Sequence, residues 1–151
     1  MKNLLLTMVS IILIGFTVNA QGKKKATDKQ PVAPDVIQAS FKTQYPDVAE
    51  VRWNKMHSGN YQSVFTNASG REQTTEFNAA GEIVRTKIAF SSEGVDEHLM
   101  AAIHEKYADA TVTALTKYEL AGVPAYYKVK IQTADQSQKD ILMSEEGAIT
   151  E

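Results

Sequence analysis

The side chains able to do acid–base or metal chemistry are few in this 151-residue chain: three histidines and no cysteine. His98 and His104 sit six residues apart in a stretch patterned as a helix. At about 100° per residue they point in different directions and cannot share a metal as an i, i+4 pair would. His57 precedes the turn-like Ser58-Gly59-Asn60, where a histidine is solvated. No His-Glu-x-x-His pattern occurs, and Asp135–Asp140 (DQSQKD) lacks the glycine and the terminal glutamate of a calcium loop. No Gly-x-Ser-x-Gly or Ser-x-x-Lys element positions a serine nucleophile. The adjacent carboxylates Glu145 and Glu146 fall in a hairpin turn, where solvation is cheap, which argues against an acid–base role. There is no glycine-rich strand-to-helix loop for phosphate. These residues predict no catalytic centre, no metal and no cofactor: the protein is read as a non-enzyme.

Contact chemistry is the better match. Tyr118 and Tyr126 fall out of phase with the inward-patterned Tyr61 and Tyr127, and they neighbour Lys128 and Lys130. Exposed aromatics beside long basic side chains are typical anchors of protein interfaces. Arg52 belongs to the same polar face. The candidate partner-binding set is therefore Arg52, Tyr118, Tyr126, Lys128 and Lys130, with unremarkable edge residues as the alternative.

The elements that position this set follow from periodicity. Pro34 suits a first helical position, and Asp35 favours the positive end of the helix dipole. Ile37, Phe41 and Tyr45 make one apolar stripe, and Pro46 ends the helix, predicted over Pro34–Gln44. Four strands follow: Ala49–Met56, Tyr61–Thr66, Arg71–Phe77 and Glu82–Ile88, separated by turns at Ser58-Gly59-Asn60, 67–70 and 78–81. The third is polar except at its end, as in a strand with one solvated face or an edge.

The pattern then restarts. Asp96 is a plausible N-cap for a helix through Tyr107, and Leu99, Ile103 and Tyr107 repeat Ile37, Phe41 and Tyr45 at an offset of 62. Thr111–Leu120 and Tyr126–Thr133 read as strands around a turn at Ala121-Gly122-Val123-Pro124. At an offset of 66, Tyr127, Ile131, Met143, Gly147 and Ile149 repeat Tyr61, Phe65, Phe77, Gly81 and Ile83. The change of offset predicts four extra residues around the first strand and turn of the second copy. The fold class is α+β: two tandem α-β-β-β-β repeats, residues 34–90 and 95–151, with antiparallel sheet and both helices packed on one face. Each copy alone is too small to bury a stable core, so one cooperative domain is expected. Whether the copies share a single sheet is left open. The opposite face is expected to carry Arg52, Gln62, Val64, Glu72, Glu76, Lys128 and Lys130, a mixed set of charges.

Ahead of this domain, Lys2, the apolar run Leu4–Val18 and the small residues of Val18-Asn19-Ala20 form a signal peptide over residues 1–20. Its retention as an anchor is the alternative, though the run falls short of the about 20 residues a span needs. Residues 21–33 read as a disordered linker, with Lys23-Lys24-Lys25 as a solvated leader or a weak membrane tether. Removing Lys2 with the leader leaves 15 basic against 18 acidic residues, which gives no electrostatic reason to bind nucleic acid. A periplasmic or secreted location without a membrane span follows.

The ordered set Phe41-x-x-x-Tyr45-Pro46, Val51-x-Trp53, Gly59-x-Tyr61-x-x-x-Phe65 and Phe77-x-Ala79-x-Gly81-x-Ile83 resembles the PepSY-like exported proteins of Bacteroidetes with a beta-lactamase-inhibitor-protein fold. The second copy lacks the proline and tryptophan. The resemblance implies a compartment and a fold, and a use as inhibitor or regulator of extracytoplasmic enzymes; the namesake inhibitor presents a concave sheet face to its target. No inhibitory contact residue carries over. The functional expectation is an exported protein-binding module, an inhibitor or regulator of an envelope protein, using the open sheet face or a strand edge. The alternative is a small-ligand or peptide-binding module using the groove between the repeats, and the third reading is a hydrolase.

Overall fold

The computed structural model describes residues 31–150 apart from 92 and 93. The signal-peptide reading, and the linker before Pro31, lie outside the described residues. The elements are α1 (Asp35–Gln44), β1 (Arg52–Lys55), β2 (Tyr61–Thr66), β3 (Glu72–Phe77), β4 (Ile83–Phe90), α2 (Glu97–Lys106), β5 (Thr111–Leu120), β6 (Val123–Gln132), β7 (Gln138–Ser144) and β8 (Ile149–Thr150). Pro34 stands at the N-cap, one position earlier than its sequence role, and its carbonyl accepts from the Ile37 and Gln38 N–H groups. Asp96 occupies the N-cap position of α2 but its side chain makes no capping bond. The turn between β5 and β6 is tighter than expected, because Val123 and Pro124 already belong to β6. Val123 still pairs with Leu120.

All eight strands form one sheet in sequence order, each antiparallel to the next. The question left open by the sequence is thus answered at β4 and β5, which pair from Arg85↔Leu120 to Phe90↔Leu115. Because side chains alternate along a strand, these registers sort the sheet into two faces. Trp53, Phe65, Phe77, Leu115, Tyr127, Val129, Ile141 and Met143 share the inner face, and all are buried.

Two apolar clusters stand on that face. Ile37 and Phe41 cluster with Ala33, Trp53, Phe65 and Phe77; Leu99 and Ile103 cluster with Val112, Leu115, Tyr127, Val129, Ile131, Ile141 and Met143. Ala33, read as linker from its sequence, is 2% exposed and packs in the first cluster, so packing begins before α1. Its carbonyl accepts a hydrogen bond from Gln38 Nε2. The Phe41 ring touches those of Tyr45, Trp53, Phe65 and Phe77 at centroid distances of 5.1–6.4 Å.

β3 is not an edge: it lies between β2 and β4, and its polar residues Gln73 and Thr75 are buried. They are tolerated because each is hydrogen-bonded. Gln73 Nε2 donates to the Tyr45 hydroxyl, which lies 3.1 Å from Thr75 Oγ1. Ser63 donates to the Thr75 carbonyl. Between the two clusters, Arg71 lies over the Phe90 ring at 4.2 Å and donates to the Gly94 carbonyl, tying the β2–β3 turn to the approach of α2.

Two substitutions test this packing by urea or thermal denaturation. Phe41→Ala removes a buried ring that meets four others and is expected to cost about 3–5 kcal/mol. Gly81 has φ +83°, and an added Cβ would meet Ser40 Oγ at 2.7 Å and the Val36 carbonyl at 3.1 Å, both on α1. Gly81→Ala should therefore destabilise more than Gly70→Ala, whose position shares the positive φ but is open to solvent.

Candidate functional site

The other set of alternate residues forms the outer face. Successive registers align Arg52, Val64, Thr74, Lys87, Tyr118, Tyr126 and Ser144 as one row across β1 to β7. A parallel row holds Ala89, Thr116, Lys128, Leu142 and Thr150, and Lys130 pairs with Asp140 one step further along. All five residues singled out from the sequence thus share this face. They do not form one cluster: Arg52 is four strands from Tyr118, about 19 Å at ordinary strand spacing.

Tyr118 and Tyr126 are directly opposite on β5 and β6 and stack, with centroids 5.2 Å apart and planes 4° from parallel. Both are half-buried, and the gap between centroids implies an offset stack. The Lys87 ammonium lies 5.5 Å from the Tyr118 ring centre. Burial lowers the Lys87 pKa, and the nearby Arg85 guanidinium lowers it further. Lys128 and Lys130 converge on Asp140 at 2.8 and 3.1 Å. The hydrogen bond from Lys128 holds the Asp140 carboxyl below its usual range, and Asp140 in turn raises Lys128. Lys87 and Arg85 are the residues the sequence reading missed. The signal was blurred by the irregular register at Glu76/Phe77, which breaks the alternation into β4.

The groups weighed for chemistry are dispersed. His57, His98 and His104 are all exposed. His98 Nε2 lies 3.1 Å from the Glu145 carbonyl oxygen, a contact between α2 and the β7–β8 turn. The Glu145 carboxylate bonds Lys117 at 2.8 Å, and this bond is the chief cause of the raised Lys117 pKa. Glu146 is lowered by a hydrogen bond with the Ser144 side chain. A carboxyl lowered in this way is not poised to donate a proton at neutral pH. Among the described residues no three His, Asp or Glu side chains gather as a metal site, and no helix is long and apolar enough to cross a membrane. Clefts of about 440, 390, 380 and 290 Å³ each lie within one half of the chain. One of about 390 Å³ is lined by Glu50, Arg52, Val64 and Glu72, and one of about 290 Å³ by Pro124, Tyr126, Leu142 and Thr150.

Glu76 is the buried charge of the outer face. Its carboxylate accepts from Asn60 Nδ2 at 2.8 Å and pairs with Arg85 at 2.6 Å, with the Glu76 side chain 11% exposed. The Asn60 bond, followed by Arg85, lowers its pKa from the ordinary 4.5. With the folded pKa below the unfolded one, its stabilisation is fully present above pH 4.5 and lost as pH falls through the folded value. Glu76→Gln should lower stability at pH 7 by roughly 1–2 kcal/mol, given that Arg85 is partly solvated. Denaturation from pH 7 to pH 3 should show the variant losing less on acidification than the parent, and parallel curves would refute the assignment.

No protein-family model matches the chain, and the search of curated proteins finds no match. Solved structures do match. A candidate periplasmic protein of Bacteroides eggerthii is 19% identical, with TM-score 0.67 over 80% of this chain and 88% of its own. A DUF2874 family protein of Bacteroides ovatus is 22% identical, with TM-score 0.69 over 80% and 86%. A BLIP-like protein of Bacteroides fragilis is 21% identical, with TM-score 0.69 over 82% and 88%. At these identities the likeness is one of fold: the chain is an α+β protein with the BLIP-like architecture found in Bacteroides.

Proposed function

We propose that this chain is an exported, non-enzymatic protein-binding module whose partner docks on the outer face of the sheet, as an inhibitor or regulator of an envelope protein. The observation that carries this reading is the stacked Tyr118–Tyr126 pair, half-buried near the middle of the sheet between Lys87 and Lys128. Aromatic anchors ringed by polar side chains are the usual energetic centre of a protein interface. Export is supported by the leader pattern of residues 1–20 and by the periplasmic description of one structural neighbour.

The proposal includes how the face is kept open. The strand residues that cluster with α1 and those that cluster with α2 lie on the same side by register. Both helices then cover the inner face and leave the outer one bare. We also read the chain as a duplicated unit. Its order, one helix and four strands, occurs twice. The second copy's first two strands have ten residues each, against four and six in the first, where the change of repeat offset places the extra residues.

Site-specific photo-crosslinking tests the docking face in the native compartment. A photo-reactive residue at Tyr126, Lys130 or Gln62 should give a discrete protein adduct. The same residue at Lys42 on α1 or Glu105 on α2, both exposed, should give none. Adducts from the helix positions alone, or from neither set with folded protein, would overturn the reading.

A further inference from the structure

We propose that the partner segment received at the centre of this face is acidic: a polypeptide stretch placing carboxylates against Lys87 and Lys128 and an apolar side chain on the Tyr118–Tyr126 pair. The proposal rests on the protein-binding reading above and adds the chemistry of the partner.

Charge segregation is the first support. The chain carries a formal net charge of −2, yet its outer strand positions hold Arg52, Arg85, Lys87, Lys128 and Lys130 against Glu72, Glu76 and Asp140. An acidic protein therefore presents a sheet face with two more basic than acidic residues, and the excess is centred on β4 to β6. Internal pairing accounts for only part of it. Arg85 is held by Glu76, whereas Lys128 and Lys130 share the single carboxylate of Asp140. Lys87 has no carboxylate within ion-pair distance among the described residues, and its neighbour is the Tyr118 ring.

The second support is the state of Lys87. Burial and the adjacent Arg85 both disfavour its charged form, and the Glu76 carboxylate, which is paired with Arg85, offsets them only in part. An incoming carboxylate reverses that balance, since an opposite charge within a few ångströms favours the ammonium. The third is room. Ala89 and Thr116 sit beside the tyrosine pair in the neighbouring row, with Ala89 exposed, so small side chains border the aromatic platform. A lipid headgroup surface fits less well, because electrostatic membrane binding uses clusters of lysine and arginine. Here Glu76 and Asp140 are interspersed among the basic residues and would face the anionic surface.

The test uses the chain expressed with its own leader and purified from the export compartment. Its probes are a labelled peptide alternating glutamate with leucine and serine, the same peptide with lysine for glutamate, and vesicles of phosphatidylglycerol in phosphatidylcholine. The glutamate peptide should bind, more weakly as salt rises, and the lysine peptide should not. K87E combined with K128E should weaken binding by about tenfold or more, while Lys42→Glu should leave it unchanged. Equal binding of the two peptides, vesicle binding without peptide binding, no binding at all, or indifference to K87E/K128E would each overturn the proposal. Crosslinking from position 126 in the K87E/K128E background separates the two readings. An undiminished adduct there keeps the docking face and removes only the acidic partner. Lys42→Glu should melt with the parent, since Lys42 is exposed. K87E/K128E gives up the Lys128–Asp140 ion pair and is expected to melt somewhat lower, and its circular dichroism spectrum should match the parent's at the assay temperature.

Discussion

The pairing of β4 with β5 is the interaction on which the rest of this structure depends. Six successive residue pairs join the last strand of the first half to the first long strand of the second, across an intervening helix. Either half alone, with fewer than 60 residues, would bury too little apolar surface for a stable fold. Joined at β4 and β5, they share one ladder of backbone hydrogen bonds and a common alternation of faces. The outer row exists only because this register carries it through: Lys87 meets Tyr118 as one of those six pairs.

The inner face shows how such a junction is managed. Its apolar packing divides into two clusters, and polar side chains stand between them, with Thr75 and Thr86 buried and Lys117 tied to Glu119 and Glu145. Every buried side-chain donor and acceptor among the described residues has a partner. Buried polar groups cost little once satisfied and a great deal when they are not. Arg71 on Phe90 adds a cation–aromatic contact across the same boundary.

Much of this was legible in the sequence because the relevant signals are local. Spacings of four in Ile37-Phe41-Tyr45 and Leu99-Ile103-Tyr107, and period two in the strands, are set by helix and strand geometry alone. The boundaries of α1, β2 and β5 fall within a residue of their expected places. Polar core residues were harder to see. Gln73 and Thr75 look solvent-facing by type, and only the distant hydroxyl of Tyr45 shows why they are buried. The stacking of Tyr118 on Tyr126, and the arrival of Lys87 and Arg85 on their face, depend on pairings between strands and on an irregular register. Phase along one strand could place Tyr118 and Lys128 on the outer face, but it could not name their neighbours.

The strict separation of the two faces has a consequence for how such a scaffold can change over generations. Neighbouring positions on each strand answer to different demands, one to the core and the next to solvent. A substitution in the row from Arg52 to Ser144 leaves the inner rings of Phe41, Phe65 and Phe77 untouched. At the exposed outer positions such as Arg52 and Lys130 a change usually shifts stability by no more than about 0.5 kcal/mol. The outer surface can therefore drift in charge and shape while the architecture is inherited intact, so relatives with little sequence in common can keep one fold.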